Sequence, residues 1–384
     1  MDIHRRIAVD QLPNTLGDAP VLTPAAYARQ ARAADAPLRF ATSKSNVPAP
    51  IARPAHVARI CADALRVAGI TSASIHLNLG APPPHASGWS ANRGFTALGA
   101  TALNRNFTDW ERPIDAGEAG RATVLSSIPN KALDLADEIA AAHGSPATVF
   151  PNLQVGLFSG QLLRPTVRRT LADRWALETT REFYGSSEAT LVAAADDESR
   201  RLVPLLHRFV IELETDTGIV DVRDVDEPTE GSILITDPAR AAVTLRRYRQ
   251  GDRIRVHPDD PVPRITPLGR ADDAIDLDGA VLHPGDLYDA VEEVHQAARD
   301  AVAYVRDDDE PVTVELFVIG ATGSRTAALY DALCERQPAL AHAIGESPGE
   351  RITVTPVDDV EDVPVVDRAG VKAQMVVFAS ASAE

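Results

Sequence analysis

The chain has 384 residues, is 45% hydrophobic and carries a formal net charge of -17 at pH 7. A chain of this length and apolar content can bury a large core and is expected to form two domains. The excess of carboxylates argues against binding to nucleic acid or to anionic lipid. No apolar run reaches the roughly 18 residues that a membrane-spanning helix needs.

The charged residues are biased toward acidic runs and toward arginine over lysine. Acidic runs such as RDDDE (306–310) and VDDVED (357–362) accompany basic residues that are almost all arginine, with lysine only at Lys44, Lys131 and Lys372. This bias is typical of proteins from a salt-rich cytoplasm, where molar salt screens self-repulsion within about 3 Å. A generally acidic, GC-biased proteome would produce the same bias.

Cysteine usage indicates a reducing compartment. Cys61 and Cys334 are the only cysteines, and the opening MDIHRRIAVD lacks the apolar core of a secretory signal. We therefore expect a cytoplasmic protein without disulfides or a structural zinc site. The sequence leaves the oligomeric state open, with a homodimer as one option.

The first forty residues mix Pro, Ala and Asp without a sustained period, which predicts a loosely organised lead-in. From Pro54, the segment HVARICADALRVAGI has the period of an amphipathic helix, with Gly69 as its C-terminal cap. SASIHLNLG then alternates like a strand. APPPHASG (81–88) predicts a loop.

Five segments continue this pattern, and they are GFTALGATAL, RATVLSSI, LDLADEIAAAHG, LQVGLFSG and PTVRRTLADRWAL. Short apolar strands that alternate with helices predict a parallel sheet covered by helices. Ligands of such sheets collect at the carboxyl ends of the strands, on loops that lead into helices. FSG (158–160) and YGSSE (184–188) are predicted to lie at such places.

After Glu188 the pattern changes to strand-like pieces joined by turns, namely HRFVIELET, GIVDVRD, GSILITD, AVTLRRY and DRIRVHP. These predict a small antiparallel sheet. A further boundary follows 267–287, and beyond it helices and strands alternate as in a compact α+β module of about a hundred residues. The expected organisation is a lead-in (1–41), a large α/β domain (42–270) and a small, mobile α+β domain (271–384).

Four motifs follow one another in a characteristic order: YGSSE (184–188), RYRQGD (247–252), GRADDAIDLDG (269–279) and Lys372 in PVVDRAGVKAQ. In order and approximate spacing this set resembles the acyl-adenylate-forming enzymes, and within them the phenylacetate-CoA ligase-like branch. The resemblance extends from about Thr42 to the C-terminus.

The resemblance implies an ATP site around the first motif. Tyr184 and Gly185 would lie at the nucleotide, with Tyr184 against the adenine; Ser186 and Ser187 would bond the phosphates. Glu188 would hold the Mg²⁺ that bridges them, since Mg²⁺ prefers carboxylate ligands. The alternative for this motif is a polar turn after a strand.

Gly160, in FSGQLL, would let the backbone approach the other face of the base, although Gln161 stands where the family often has an acid. Asp252 would accept hydrogen bonds from both ribose hydroxyls, or else sit in a simple strand-end turn. Arg270 would contact the nucleotide.

Asp272 matches the hinge about which the family's small domain rotates. The alternative for Arg270 and Asp272 is a surface ion pair. Lys372 would neutralise charge as the carboxylate attacks the α-phosphate, a task for a compact point charge, or else be an ordinary exposed lysine.

The phosphate-binding loop departs from the family pattern. The aligned stretch ATSKSNVPAP (41–50) keeps hydroxyls at Thr42, Ser43 and Ser45 but lacks the glycines of the family loop. A loop that wraps phosphates with backbone N–H groups relies on conformations that glycine tolerates best.

The resemblance therefore implies an enzyme that activates a carboxylic acid, aromatic in the related branch, with ATP and Mg²⁺ and passes the acyl group to coenzyme A. Two alternatives stay open. One is a catalytically degenerate module that binds a nucleotide or acyl-adenylate and serves regulation. The other is an adenylate-forming enzyme with an acceptor other than coenzyme A.

Overall fold

The structure is a computed structural model of the chain. It describes residues 16, 19–41, 47–104, 120–259, 261–296, 298, 300–307, 311–344, 348–358, 362–363 and 376–379. None of the helices within these ranges is both long and apolar enough to cross a membrane.

The helices of the described residues are α1 (Pro24–Ala33), α2 (Pro54–Val67), α3 (Ser87–Leu98), α4 (Pro129–His143), α5 (Pro146–Val149), α6 (Pro165–Trp175), α7 (Pro284–Val294), α8 (Thr326–Arg336), α9 (Ala339–Ile344) and α10 (Pro348–Arg351).

The strands up to the end of the main sheet are β1 (Leu38–Ala41), β2 (Pro48–Ile51), β3 (Ile75–Asn78), β4 (Thr101–Asn104), β5 (Val124–Ser127), β6 (Val155–Ser159), β7 (Thr179–Ser186), β8 (Thr190–Ala194) and β9 (Val203–Pro204). The later strands are β10 (Val210–Thr215), β11 (Gly218–Asp221), β12 (Thr229–Asp237), β13 (Leu245–His257), β14 (Arg264–Arg270), β15 (Ile275–Leu277), β16 (Ala280–Leu282), β17 (Asp300–Arg306), β18 (Thr313–Ile319), β19 (Ile352–Val357) and β20 (Val376–Phe378).

The main sheet has seven strands in the order β4-β3-β5-β6-β7-β8-β9. The first five are parallel, and β8 and β9 continue the sheet in antiparallel pairing. Helix α2 illustrates how the sequence forms this layer, since it starts at Pro54, buries an apolar face and stops before Gly69, whose φ is +80°. The predicted parallel sheet is confirmed.

A second sheet has five strands in the order β11-β10-β12-β13-β14, and it corresponds to the antiparallel sheet predicted after Glu188. The expectation of two separate strands at AVTLRRY and DRIRVHP is wrong, because both belong to the single long strand β13. That strand tolerates the internal Gly251, whose φ is +93°, through shifts of register against β12. One hydrophobic core lies against both sheets.

Residues 268 onward build a four-stranded sheet, β19-β18-β17-β20, and the short pair β15-β16, with helices α7 to α9 on its core. Strand β17 pairs antiparallel with β18, while the outer strands pair in parallel. This is the predicted α+β arrangement, so the mixed α/β fold class with a smaller C-terminal part is confirmed.

The chain divides into two compact units. The first extends to Leu163 and resumes from Leu171 to Pro267, and the second comprises Arg164–Thr170 together with the chain from Leu268. The exact borders at 41/42 and 270/271 and the mobility of the small domain stay predictions.

Two local predictions are corrected. The lead-in contains helix α1, which begins at Pro24 with Thr23 as its N-cap and buries Tyr27, Ala28 and Ala31. The predicted loop 81–88 is shorter than expected, because Ser87 and Gly88 open helix α3. In both places short, weakly periodic segments gain their order from packing against the rest of the fold.

Candidate nucleotide site

The predicted nucleotide-binding motifs lie at one edge of the main sheet. Strands β6 and β7 run in parallel with Ser159 opposite Phe183, so Gly160 and Tyr184 follow at the same level. Gly160 has a φ of +88°, a conformation that glycine adopts without strain. The chain after Gly160 leads to helix α6, as predicted. Tyr184 to Ser186, however, are part of β7 and turn directly into β8, which corrects the expectation of a loop leading into a helix.

The centre of this edge is a hydrogen-bonded cluster of Tyr184, Gln250 and Asp252. The hydroxyl of Tyr184 donates to Oδ2 of Asp252 over 2.8 Å. Nε2 of Gln250 donates to the same carboxylate oxygen over 2.7 Å and to the Tyr184 hydroxyl over 2.9 Å. The structure thus brings together two predicted residues from strands β7 and β13. Asp252 is partly exposed, and its carboxylate can accept hydrogen bonds from a pair of adjacent hydroxyls.

Gly185 is required by the turn itself. A Cβ atom at this position would lie 1.8 Å from the carbonyl oxygen of Thr190 on the partner strand. The register shift between Tyr184 and Gly185 marks the same close approach. A side chain here would push β8 away and displace the residues between the strands, so Gly185 is needed for the shape of the site whether or not it touches a ligand.

Glu188 is bonded by the aromatic residue Tyr248, which itself packs on a second aromatic residue. The hydroxyl of Tyr248, on β13, donates to Oε1 of Glu188 over 3.2 Å. The ring of Tyr248 packs against that of Tyr27 on α1, with centroids 5.0 Å apart. Because Tyr27 is 1% exposed and Tyr248 is 3% exposed, the Glu188 carboxylate rests on a well-packed base.

The two hydroxyls of the motif differ in their surroundings. Oγ of Ser186 accepts a hydrogen bond from the backbone N–H of Ala189 over 3.1 Å, which stabilises the turn. Ser187 is partly exposed at the tip. The Ser186 oxygen therefore has a structural task in the turn between β7 and β8.

A magnesium ion fits this site only if a phosphate completes its shell. The described residues contain no group of three His, Cys, Asp or Glu side chains able to hold a metal by themselves. Mg²⁺ in nucleotide sites is bound by one or two carboxylates together with phosphate oxygens and water. The partly exposed carboxylate of Glu188 meets that requirement.

The remaining predicted site residues are Arg270, Asp272, Ser43, Ser45 and Lys372. Arg270 and Asp272 belong to the second unit, where Nη2 of Arg270 lies 3.4 Å from Oδ2 of Asp272 and the Asp272 side chain is 81% exposed. This contact is the surface ion pair considered as the alternative, and it leaves the predicted roles of both residues open. Ser43, Ser45 and Lys372 lie outside the described residues. The strands that flank the predicted phosphate loop do pair, with Ala41 opposite Pro48.

Sequence reasoning missed the supporting residues Tyr27, Tyr248 and Gln250. Tyr248 and Gln250 lie inside the quoted motif RYRQGD, and their alternation with Arg249 along a strand could have placed them on one face with Asp252. No signal in the sequence pairs Tyr27 with them.

Comparisons with known proteins concern the fold. No protein-family model and no curated protein matches the sequence. The crystal structure of 2-hydroxyisobutyryl-CoA ligase in the postadenylation state with 2-HIB-AMP superposes with a TM-score of 0.69 and 17% identity, over 94% of this chain and 80% of that chain. Its open conformation with 2-HIB-AMP and CoA gives a TM-score of 0.59 at 17% identity, over 93% and 81%.

ATP-bound MatB from Rhodopseudomonas palustris is also similar, with a TM-score of 0.59 and 14% identity over 88% of this chain and 65% of that chain. The phenylacetate-CoA ligase-like branch stays a prediction, because these similarities do not separate branches. The predicted superfamily is confirmed at the level of fold: the chain has the architecture of the acyl-adenylate-forming CoA ligases.

Proposed function

We propose that this protein activates a carboxylic acid with ATP to an acyl-adenylate and transfers the acyl group to coenzyme A. The observation that carries the proposal is the hydrogen bond between Tyr184 and Asp252 at the carboxyl edge of the parallel sheet. These two residues are 68 positions apart and come from separate motifs, each of which the resemblance assigns to the nucleotide. The solved ligases with the same fold carry acyl-AMP, ATP or CoA.

Each side chain then has a task in binding. The adenine lies between Tyr184 and the backbone at Gly160, and the ribose hydroxyls replace the Tyr184 and Gln250 donors as partners of Asp252. Ser186 and Ser187 bond the phosphates, and Glu188 would hold Mg²⁺, which when bound offsets phosphate charge. The well-packed Tyr27 and Tyr248 below Glu188 keep that carboxylate in place.

The chemistry takes place in two displacements. A carboxylate oxygen of the acid bonds to the α-phosphorus, and the bond from that phosphorus to the bridging oxygen breaks, so that pyrophosphate leaves with the electron pair. Lys372 offsets charge in this step. The coenzyme A thiol, losing its proton, then attacks the acyl carbon and AMP leaves. Rotation of the small domain at Asp272 would separate the two reactions, with Arg270 contacting the nucleotide.

The test is acid-dependent exchange of labelled pyrophosphate into ATP, with magnesium in molar potassium chloride. The panel contains aryl acids, short fatty acids and 2-hydroxyisobutyrate, because the sequence branch suggests an aromatic acid while a structural neighbour is named for the hydroxy acid. Exchange in the parent and its loss by a factor of about 100 or more in Glu188→Gln is the expected result. Circular dichroism verifies that the variant is folded.

A second candidate is the binding module without catalysis, which the glycine-free stretch ATSKSNVPAP favours. Folded parent protein that binds ATP or AMP but exchanges no pyrophosphate with any acid would decide for this module. Exchange without a thioester product on addition of coenzyme A would instead indicate another acyl acceptor.

A further inference from the structure

The guanidinium of Arg240 is buried, and among the described residues it bonds to uncharged groups, the Pro50 carbonyl and the Tyr27 hydroxyl. Arg240 is 7% exposed. Its Nη2 donates to the carbonyl oxygen of Pro50 over 3.5 Å, and its Nε has no hydrogen-bond partner in the described part of the chain. Within those residues Arg240 also forms no ion pair. Because a buried charge without a charged partner is costly, an anion is expected beside it.

The fold holds Arg240 in a fixed turn. Asp237, at the end of β12, is fully buried, and its two carboxylate oxygens lie 3.0 and 2.8 Å from Nε2 of His56 on α2. Oδ1 of Asp237 also accepts the backbone N–H of Ala239 over 3.0 Å. The chain is therefore fixed immediately before Arg240, as a preorganised binding group requires.

Arg240 also contacts the stretch that aligns with the family's phosphate loop, because its Nη2 donates to the carbonyl oxygen of Pro50, the last residue of 41–50. Burial raises the pKa of the Tyr27 phenol, the charge of Arg240 opposes that rise, the charge of Glu188 adds to it, and a hydrogen bond with Arg240 also lowers the pKa. Tyr27 in turn packs on Tyr248, which bonds Glu188. Arg240 and Glu188, the carboxylate proposed to hold Mg²⁺, are thus linked through Tyr27 and Tyr248.

We propose that Arg240 binds the β- and γ-phosphate oxygens of ATP, an inference that rests on the proposed function. A planar guanidinium offers paired N–H donors that match phosphate oxygens. When the bond between the α-phosphorus and the bridging oxygen breaks, the electron pair departs with pyrophosphate, and the Arg240 charge offsets it. Arg240 would supply part of the phosphate binding that the glycine-free stretch 41–50 lacks.

The test compares Arg240→Gln with Arg246→Gln. Arg246 is a matched control, because it is exposed and its Nη2 likewise donates to a backbone carbonyl, that of Leu16. Affinities for ATP, AMP and inorganic pyrophosphate are measured by calorimetry at one fixed salt concentration with magnesium. We expect Arg240→Gln to weaken ATP and pyrophosphate about 10- to 100-fold while AMP changes less than about twofold, and Arg246→Gln to match the parent.

Equal weakening of AMP and ATP, or no change in either, would overturn the assignment of Arg240. If Arg240→Gln does not fold, Arg240→Lys replaces it, with a severalfold weaker ATP affinity and unchanged AMP affinity as the supporting result. The results also distinguish a failure of the proposed function from a failure of the Arg240 assignment. A parent that shows no exchange but binds pyrophosphate through Arg240 would reject ligation and keep the anion site, whereas intact exchange with unaltered ATP binding in Arg240→Gln would reject Arg240 alone.

Discussion

The predicted site residues of the first unit and those of the second unit are embedded in the fold to different degrees. Tyr184, Asp252 and Glu188 contact side chains from distant strands, and Tyr27 and Tyr248 beneath Glu188 are almost fully buried. Arg270 and Asp272 contact each other two residues apart, at the surface. The predicted site residues of the first unit are therefore anchored to its core, whereas the exposed ion pair of Arg270 and Asp272 contributes little to stability.

The largest effect is expected at Lys372, which lies in the predicted small domain 271–384. We expect Lys372→Ala to slow adenylation by a factor of about 100 or more, because it removes charge that offsets the reacting phosphate. Transfer from a preformed acyl-adenylate to coenzyme A should change only severalfold. Single-turnover assays of the two half-reactions measure this difference. Lys131→Ala is the control, since Lys131 pairs with Asp134 on α4; equal effects of both variants would remove the predicted small domain from the chemistry.

A smaller effect is expected in the first unit at Asp252. Asp252→Ala should weaken the affinities for ATP and AMP alike by about 10- to 100-fold. Both nucleotides contain the ribose whose hydroxyls are proposed to donate hydrogen bonds to this carboxylate. Calorimetry with both nucleotides measures it. Asp216→Ala, an exposed aspartate of the same sheet region, should leave both affinities unchanged. Parent-like binding by Asp252→Ala would show that the Tyr184 and Gln250 contacts serve the strand end alone.

The smallest effect is expected at the surface pair. Asp272→Ala should change the free energy of unfolding by less than about 1 kcal/mol, because exposed ion pairs contribute little. Denaturant unfolding measures it, and Glu212→Gln provides the contrast. Glu212 receives Nε and Nη2 of the buried Arg247 over 2.9 and 2.8 Å, and loss of its charge should cost about 3 to 5 kcal/mol. A large loss in Asp272→Ala would show that this pair supports the fold after all.

The sequence predicted what depends on local pattern. Short stretches with a clear period or with turn residues predicted the proline start and glycine stop of α2 and the strand β6. The order of the motifs could likewise be seen directly in the sequence. Helix α1 was not predicted, because its hydrophobic pattern is weak and its order comes from the packing of Tyr27 on Tyr248. The burial of Arg240 without an ion pair among the described residues could not be predicted either, because it depends on which residues from several distant elements surround one side chain.

The N-terminal segment packs against a strand that comes more than 200 residues later in the sequence. Leu22 pairs with Tyr248 in parallel, and Nη1 of the αL residue Arg247 donates to the carbonyl oxygen of Ala19, 228 residues earlier. During synthesis helix α1 therefore emerges long before the strand that receives it, and closing so large a loop is slow and entropically costly. On the nascent chain, the apolar face around Tyr27 stays exposed until β13 has been synthesised. We expect a chaperone to protect this helix during that time.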